Sequence, residues 1–275
     1  MRGLAKVPWV ATASFLLTVL SWGCRASYQT LNSGSVLFYA ASSTTDVIEA
    51  IRHRYARQTG RSVELNFGAT STLATQIKHG SGADLFLAAN ESWVEHLDVN
   101  VNGVKKRLDL LSNRLVVVVP KNLGSPPPKV VEDLVVVDAY EGIAMANPDA
   151  LVPAGIYAKE ALVNLGLWDK LLPRMVYGDN VRAALRYVET QSVAAGIVYW
   201  TDALTSYRVQ LALEISPSLH RKVLYPLLLL DQGRQDSSAR DLFDYLASPE
   251  AGAIFKKYGF TFLPRTKQTA RFREE

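Results

Sequence analysis

An α/β fold in two lobes is what this sequence predicts, and three observations carry that expectation. Short apolar runs alternate with helical patterns along most of the chain, the rhythm of mostly parallel strands in a mixed sheet flanked by helices. The turns after those runs are rich in Ser, Thr, Gly and Ala. The strand–helix units also form two sets, before and after about residue 113, and a late strand with two closing helices returns to the first set. The expected division is lobe 1 from 35–112 plus 224–264 (discontinuous) and lobe 2 from 113–223. Two crossings between lobes make a hinge, with a ligand in the interlobe cleft. A chain of 275 residues is long enough to bury such cores.

The elements follow in order. Val36 to Ala41 reads as a strand, and Ser42-Ser43-Thr44-Thr45-Asp46 leads into a helix carrying Val47, Ile48, Ile51 and Tyr55 and ending at Gly60. Hydroxyl and Asp side chains before an apolar helix are N-cap chemistry, although five in a row exceed what one cap needs. Ser62 to Phe67 is a second strand, and Gly68-Ala69-Thr70-Ser71-Thr72 opens a helix through Leu73, Ala74 and Ile77. Ala83 to Ala89 is a third strand, and Glu91 to Leu97 a third helix. Leu115 to Val119, β-branched and closed by Pro120, predicts a fully buried strand. Gly142 to Ala146 is another strand and delivers the chain to Val152-Pro153-Ala154-Gly155-Ile156-Tyr157, a helix start with proline in its first turn. Met175 to Tyr177 and Gly178-Asp179-Asn180 precede a helix with Val181, Ala184, Leu185 and Val188. Ala195 to Tyr199, Tyr207 to Ile215 and Val223 to Leu230 are further strands; Asp241 to Leu246 and Pro249 to Tyr258 are closing helices.

Composition bounds the classes. The formal net charge is +4, and part of it lies in the terminal segments. No dense Lys/Arg stripe with interleaved aromatics appears, which argues against nucleic acid. Residues 1–26, with Arg2 and Lys6 ahead of the apolar run Val10 to Leu20, predict a signal peptide and hence an exported, periplasmic protein. Leu20-Ser21-Trp22-Gly23-Cys24 resembles a lipoprotein box, which would anchor the chain to a membrane through Cys24. Cys24-Arg25-Ala26 equally suits ordinary signal peptidase, and both stay open. Cys24 is the only cysteine, so the mature body has no disulfide. Residues 265–275 read as a charged, disordered tail.

Ser42, Thr70, Ala154, Val181 and Tyr199 all fall at strand ends or helix starts, with Ser43 and Ser71 as additional candidates. They offer hydroxyl and backbone N–H donors and no formal charge. Such a set suits an anion without protons of its own, which only accepts hydrogen bonds. Burying even one bare charge costs on the order of 20 kcal/mol in the idealised limit. A hydrogen bond to a charged group returns ~1.5–3 kcal/mol, and a helix terminus ~0.3–2 kcal/mol. Several turns must therefore act together.

Catalysis reads poorly. His53, His79, His96 and His220 lie away from the hydroxyl clusters, and neither Ser43 nor Ser71 sits in a G-x-S-x-G elbow. No His/Cys/carboxylate pair has metal-ligand spacing, and no Walker-type loop is present. No catalytic residue, no metal and no cofactor are expected.

Over about residues 35 to 263 the chain resembles the periplasmic molybdate-binding proteins of bacterial ABC transporters. The resemblance rests on Ala40-Ala41-Ser42, Phe67-Gly68-Ala69-Thr70-Ser71-Thr72-Leu73-Ala74, Ala83-Asp84-Leu85-Phe86, the specific run Val152 to Leu162, Asp179-Asn180-Val181-Arg182, Gly196-Ile197-Val198-Tyr199 and Ile254 to Phe260. It implies a type II periplasmic-binding-protein fold, molybdate or tungstate as ligand, and a membrane permease of an ABC transporter as partner of a monomer. It also implies that the oxyanion is held by Ser42, the backbone at Ala154 and Val181, the Tyr199 hydroxyl, and a second serine whose place Thr70 takes here. The alternatives are a binder of another oxyanion such as sulfate or phosphate, and a secreted serine hydrolase using Ser42 or Ser71.

Overall fold

A computed structural model describes residues 35–100, 103–124, 126–136, 142–231 and 237–263. The expected signal peptide, Cys24 and the charged tail lie outside the described residues. The strands are β1 (Val36–Ala41), β2 (Val63–Gly68), β3 (Leu85–Leu87), β4 (Val104–Ser112), β5 (Leu115–Pro120) and β6 (Ile143–Ala146), then β7 (Met175–Gly178), β8 (Ala195–Tyr199), β9 (Val209–Glu214), β10 (Leu224–Leu230) and β11 (Thr261–Phe262). The helices are α1 (Thr45–Thr59), α2 (Thr70–Lys78), α3 (Glu91–Asn100), α4 (Asp133–Val136) and α5 (Pro153–Asn164). They continue with α6 (Trp168–Leu171), α7 (Val181–Glu189), α8 (Trp200–Leu204), α9 (Ser237–Leu246) and α10 (Pro249–Lys257).

The strands form two sheets. One has the order β11-β4-β10-β3-β1-β2 and the other β7-β6-β8-β5-β9. Each is mixed. Strands β2-β1-β3 and β7-β6-β8 run parallel, whereas β3-β10-β4-β11 and β8-β5-β9 pair antiparallel. The expectation of mostly parallel strands thus holds for the half of each sheet joined by helical crossovers. The antiparallel half is built by β4 and β5, joined by a short turn, and by the return strand β10.

Local chemistry explains the elements that position the site. Helix α1 buries Val47, Ile48, Ile51 and Tyr55 at helical spacing and ends at Gly60, whose φ of 71° is the left-handed C-terminal conformation that glycine adopts at little cost. Strand β5 is buried along its whole length, as a β-branched run between neighbours on both sides should be. Register then aligns the turns. Ala41 pairs with Gly68 at the ends of β1 and β2, and Ala146 pairs with Gly178 at the ends of β6 and β7. The segments that follow each pair therefore leave their sheet at the same level. This is the carboxyl end of the parallel strands, where α/β sheets place their ligands.

Candidate binding site

Six chain segments converge on one small cavity of about 210 Å³, lined by Ala41, Ser42, Ser43, Gly68, Ala69, Thr70, Ala89, Val152, Pro153, Ala154, Val181 and Tyr199. No charged side chain lines it.

Three of the helix starts around the cavity lack a side-chain cap, as do α1, α6 and α8. The residues before the turn Ser42–Thr44, before α2 and before α5 are Ala41, Ala69 and Val152, and none provides a side-chain cap. Apolar residues are the poorest choices at that position, because the first N–H groups of a helix have no acceptor within it. The backbone N–H groups of Ser42, Thr70, Ala154 and Gly155 have no hydrogen-bond partner among the described residues. Helix α7 differs. Asn180 Oδ1 accepts from the N–H groups of Arg182 and Ala183, at 2.9 and 3.1 Å, and leaves the Val181 N–H without a partner among the described residues.

The hydroxyls complete the set. Thr70 Oγ1 accepts from the Ala89 N–H at 2.9 Å, so its own hydrogen is left to donate elsewhere. Ser43 Oγ stands 3.0 Å from the Tyr225 hydroxyl, which also accepts from Asn113 Nδ2 at 3.2 Å. Tyr199 is 1% exposed and its hydroxyl is buried without a hydrogen-bond partner among the described residues. The Tyr225 hydroxyl lies near enough to perturb it, yet hydrogen-bonding geometry is not met. Burial, with smaller contributions from Tyr225, Tyr157 and Asp202, holds the Tyr199 phenol well above its ordinary range, so it remains a neutral donor.

All five principal positions named from the sequence, and Ser43, line the cavity. Ser71 does not; it lies within α2, where its carbonyl accepts the Thr75 hydroxyl at 2.9 Å. The hydroxyls expected to cap α1 turn backwards instead: Thr44 donates to the Ala41 carbonyl and Thr45 to that of Ser42. Gly155 also has another role than exposing its amide. It allows α5 to press against β6, where a β-carbon would come within 2.2 Å of the Ala146 carbonyl oxygen.

One functional-looking residue escaped the sequence reading. Arg182, next to Val181, donates from Nε to Asp202 Oδ1 at 2.5 Å and from Nη2 to Asp46 Oδ2 at 2.6 Å. Burial alone lowers its pKa, but Asp202 and Asp46 more than reverse this, so the guanidinium is held charged outside the cavity lining. No histidine lies within hydrogen-bond reach of Ser42 or Ser71 among the described residues. No group of three potential metal-ligating side chains occurs among them either.

Residues 36–261 match the family described as bacterial extracellular solute-binding protein. The chain belongs to that family. Among relatives of this solute-binding protein, the molybdate-binding protein ModA of Escherichia coli (strain K12) is 36% identical over 238 residues, covering 84% of this chain and 90% of that protein. YvgL of Bacillus subtilis, which carries the name of an ABC transporter substrate-binding lipoprotein, is 38% identical over 256 residues, 91% of this chain and 95% of that one. The solved periplasmic molybdate-binding protein of Azotobacter vinelandii shares the fold with a TM-score of 0.72 at 21% identity, over 84% of this chain and 100% of that chain.

Proposed function

We propose that this solute-binding protein is exported, captures molybdate or tungstate in the cavity, and delivers it to the membrane permease of an ABC transporter. It carries the ion and does no chemistry on it. The observation that carries this reading is a set of neutral donors without partners among the described residues: the Tyr199 hydroxyl and the N–H groups at Ser42, Thr70, Ala154 and Val181. An anion that bears no proton needs only donors of this kind. A proton-bearing ligand such as hydrogen phosphate needs an acceptor as well, and no carboxylate lines the cavity. The ModA relatives support the oxyanion class, and YvgL supports the transporter setting. No helix among the described residues is long and apolar enough to cross a membrane.

The test is calorimetric titration of the purified mature protein with molybdate, tungstate, sulfate and phosphate. Tight binding of the first two, with sulfate and phosphate far weaker, is the expected result. Preference for sulfate or phosphate would replace the assigned ligand.

A further inference from the structure

We propose that Arg182 is a positioning residue, which ties three of the donor-bearing turns together around a bound oxyanion through Asp46 on one side and Asp202 on the other. The inference rests on the oxyanion reading of the cavity. Each partner is only a short step from a donor. Arg182 directly follows Val181, Asp46 stands four residues after Ser42, and Asp202 stands three after Tyr199. One guanidinium therefore touches all three turns: Nε reaches Asp202 in α8, Nη2 reaches Asp46 in α1, and Nη2 also stands 3.5 Å from the Ser43 carbonyl oxygen. Its remaining nitrogen, Nη1, donates to Thr205 Oγ1 at 3.2 Å. Five N–H donors in one rigid plane make such a link possible; a lysine ammonium has no comparable fork.

The link also spans the two sheets. Helix α7 packs on the sheet containing β6 and β8, whereas α1 packs on β1 and β2. The two acids are not equivalent. The Asp202 side chain is fully buried within the same half as Arg182, while that of Asp46 is 43% exposed and belongs to the opposite half. The Arg182–Asp202 pair orients the fork, and the Arg182–Asp46 pair holds the Ser42 turn against the Val181 turn. With its charge answered by two carboxyl groups behind the cavity, the arginine also leaves the binding surface itself free of formal charge.

Asp46→Asn is the informative substitution, since it removes the cross-sheet ion pair at a partly exposed position and leaves Asp202 on Arg182. Stopped-flow release of the oxyanion the wild type binds most tightly is compared with that of the variant across a salt series. The variant is expected to release ligand roughly tenfold faster, with an unchanged ligand-free melting temperature. Wild-type release should accelerate as salt rises, and release from the variant should respond far less. Asp46→Glu, which keeps the carboxylate, should recover most of the slow release. Equal release rates in wild type and Asp46→Asn would overturn the proposal, as would a lower ligand-free melting temperature with release unchanged. If the wild type binds sulfate in place of molybdate, the ligand assignment fails and the same comparison with sulfate decides the role of Arg182. Binding of none of the four anions would overturn both.

Discussion

Gly155 stands so close to Ala146 that the space for a side chain is already filled by backbone: a β-carbon would lie 2.2 Å from the Ala146 carbonyl oxygen and 2.8 Å from its carbonyl carbon. Neither neighbour is the flexible end of a side chain. Gly155→Ala must therefore push α5 away from β6 and move the Ala154 N–H with it. The expected cost is about 1–3 kcal/mol of stability, measured as a lower urea midpoint, together with weakened oxyanion binding.

Tyr199→Phe separates binding from folding. The ring is retained in its packing against Tyr225, at 6.0 Å between centroids, and only an unpartnered buried hydroxyl is lost. Ligand-free stability should be unchanged or slightly raised, because the unsatisfied group is gone. Affinity should fall about tenfold to a hundredfold, the worth of one hydrogen bond to a charged group. Calorimetric titration alongside a thermal melt reads both. Undiminished affinity would remove the hydroxyl from the site.

Thr70 is bound to the fold as well as to the cavity. Its oxygen accepts the buried Ala89 N–H, so Thr70→Val strands that donor and is expected to cost about 1–3 kcal/mol. Thr70→Ser keeps the oxygen and loses a methyl, so it should stay near wild type in stability. Parallel denaturant titrations distinguish the two.

Alkaline pH should destabilise the protein through three tyrosines. Burial pushes the Tyr157 phenol up to about 12, and raises those of Tyr199 and Tyr225 as well. In the unfolded chain each ionises near ~10. The folded state thus prefers the neutral form; that preference has no effect below pH ~10 and subtracts stability as pH climbs from there towards the folded values. Phenolate absorbance followed together with circular dichroism should show these three rings ionising only as the fold is lost. Complete titration before unfolding would contradict the burial of these rings.

Much of the fold was legible in the alternation of apolar runs and helical patterns, as β5 and α1 illustrate. Strand β4 was not recognised, because Lys105, Lys106, Arg107 and Asp109 interrupt its apolar positions. In the structure Lys105, Lys106 and Arg107 pair with Asp231, Asp244 and Glu91, while Leu110 and Leu111 are buried. The cavity was legible for a different reason: each of its turns announces itself locally, as a strand end followed by small or hydroxyl residues. Arg182 was not, since its partner Asp46 lies 136 residues away and only the packing of α7 beside the turn Ser42–Thr44 brings them together. The caps had a subtler signal. Ala41, Ala69 and Val152 stand where a helix ordinarily wants Ser, Asp or Asn, although Leu167 before α6 does the same away from the cavity.

Those three starts leave their first amides open to an acceptor from outside the helix. On the proposed reading, a seated oxyanion serves as a shared cap for these cavity-facing starts at once. Cargo and architecture then become a single cooperative unit, and heat resistance should track how full the protein is.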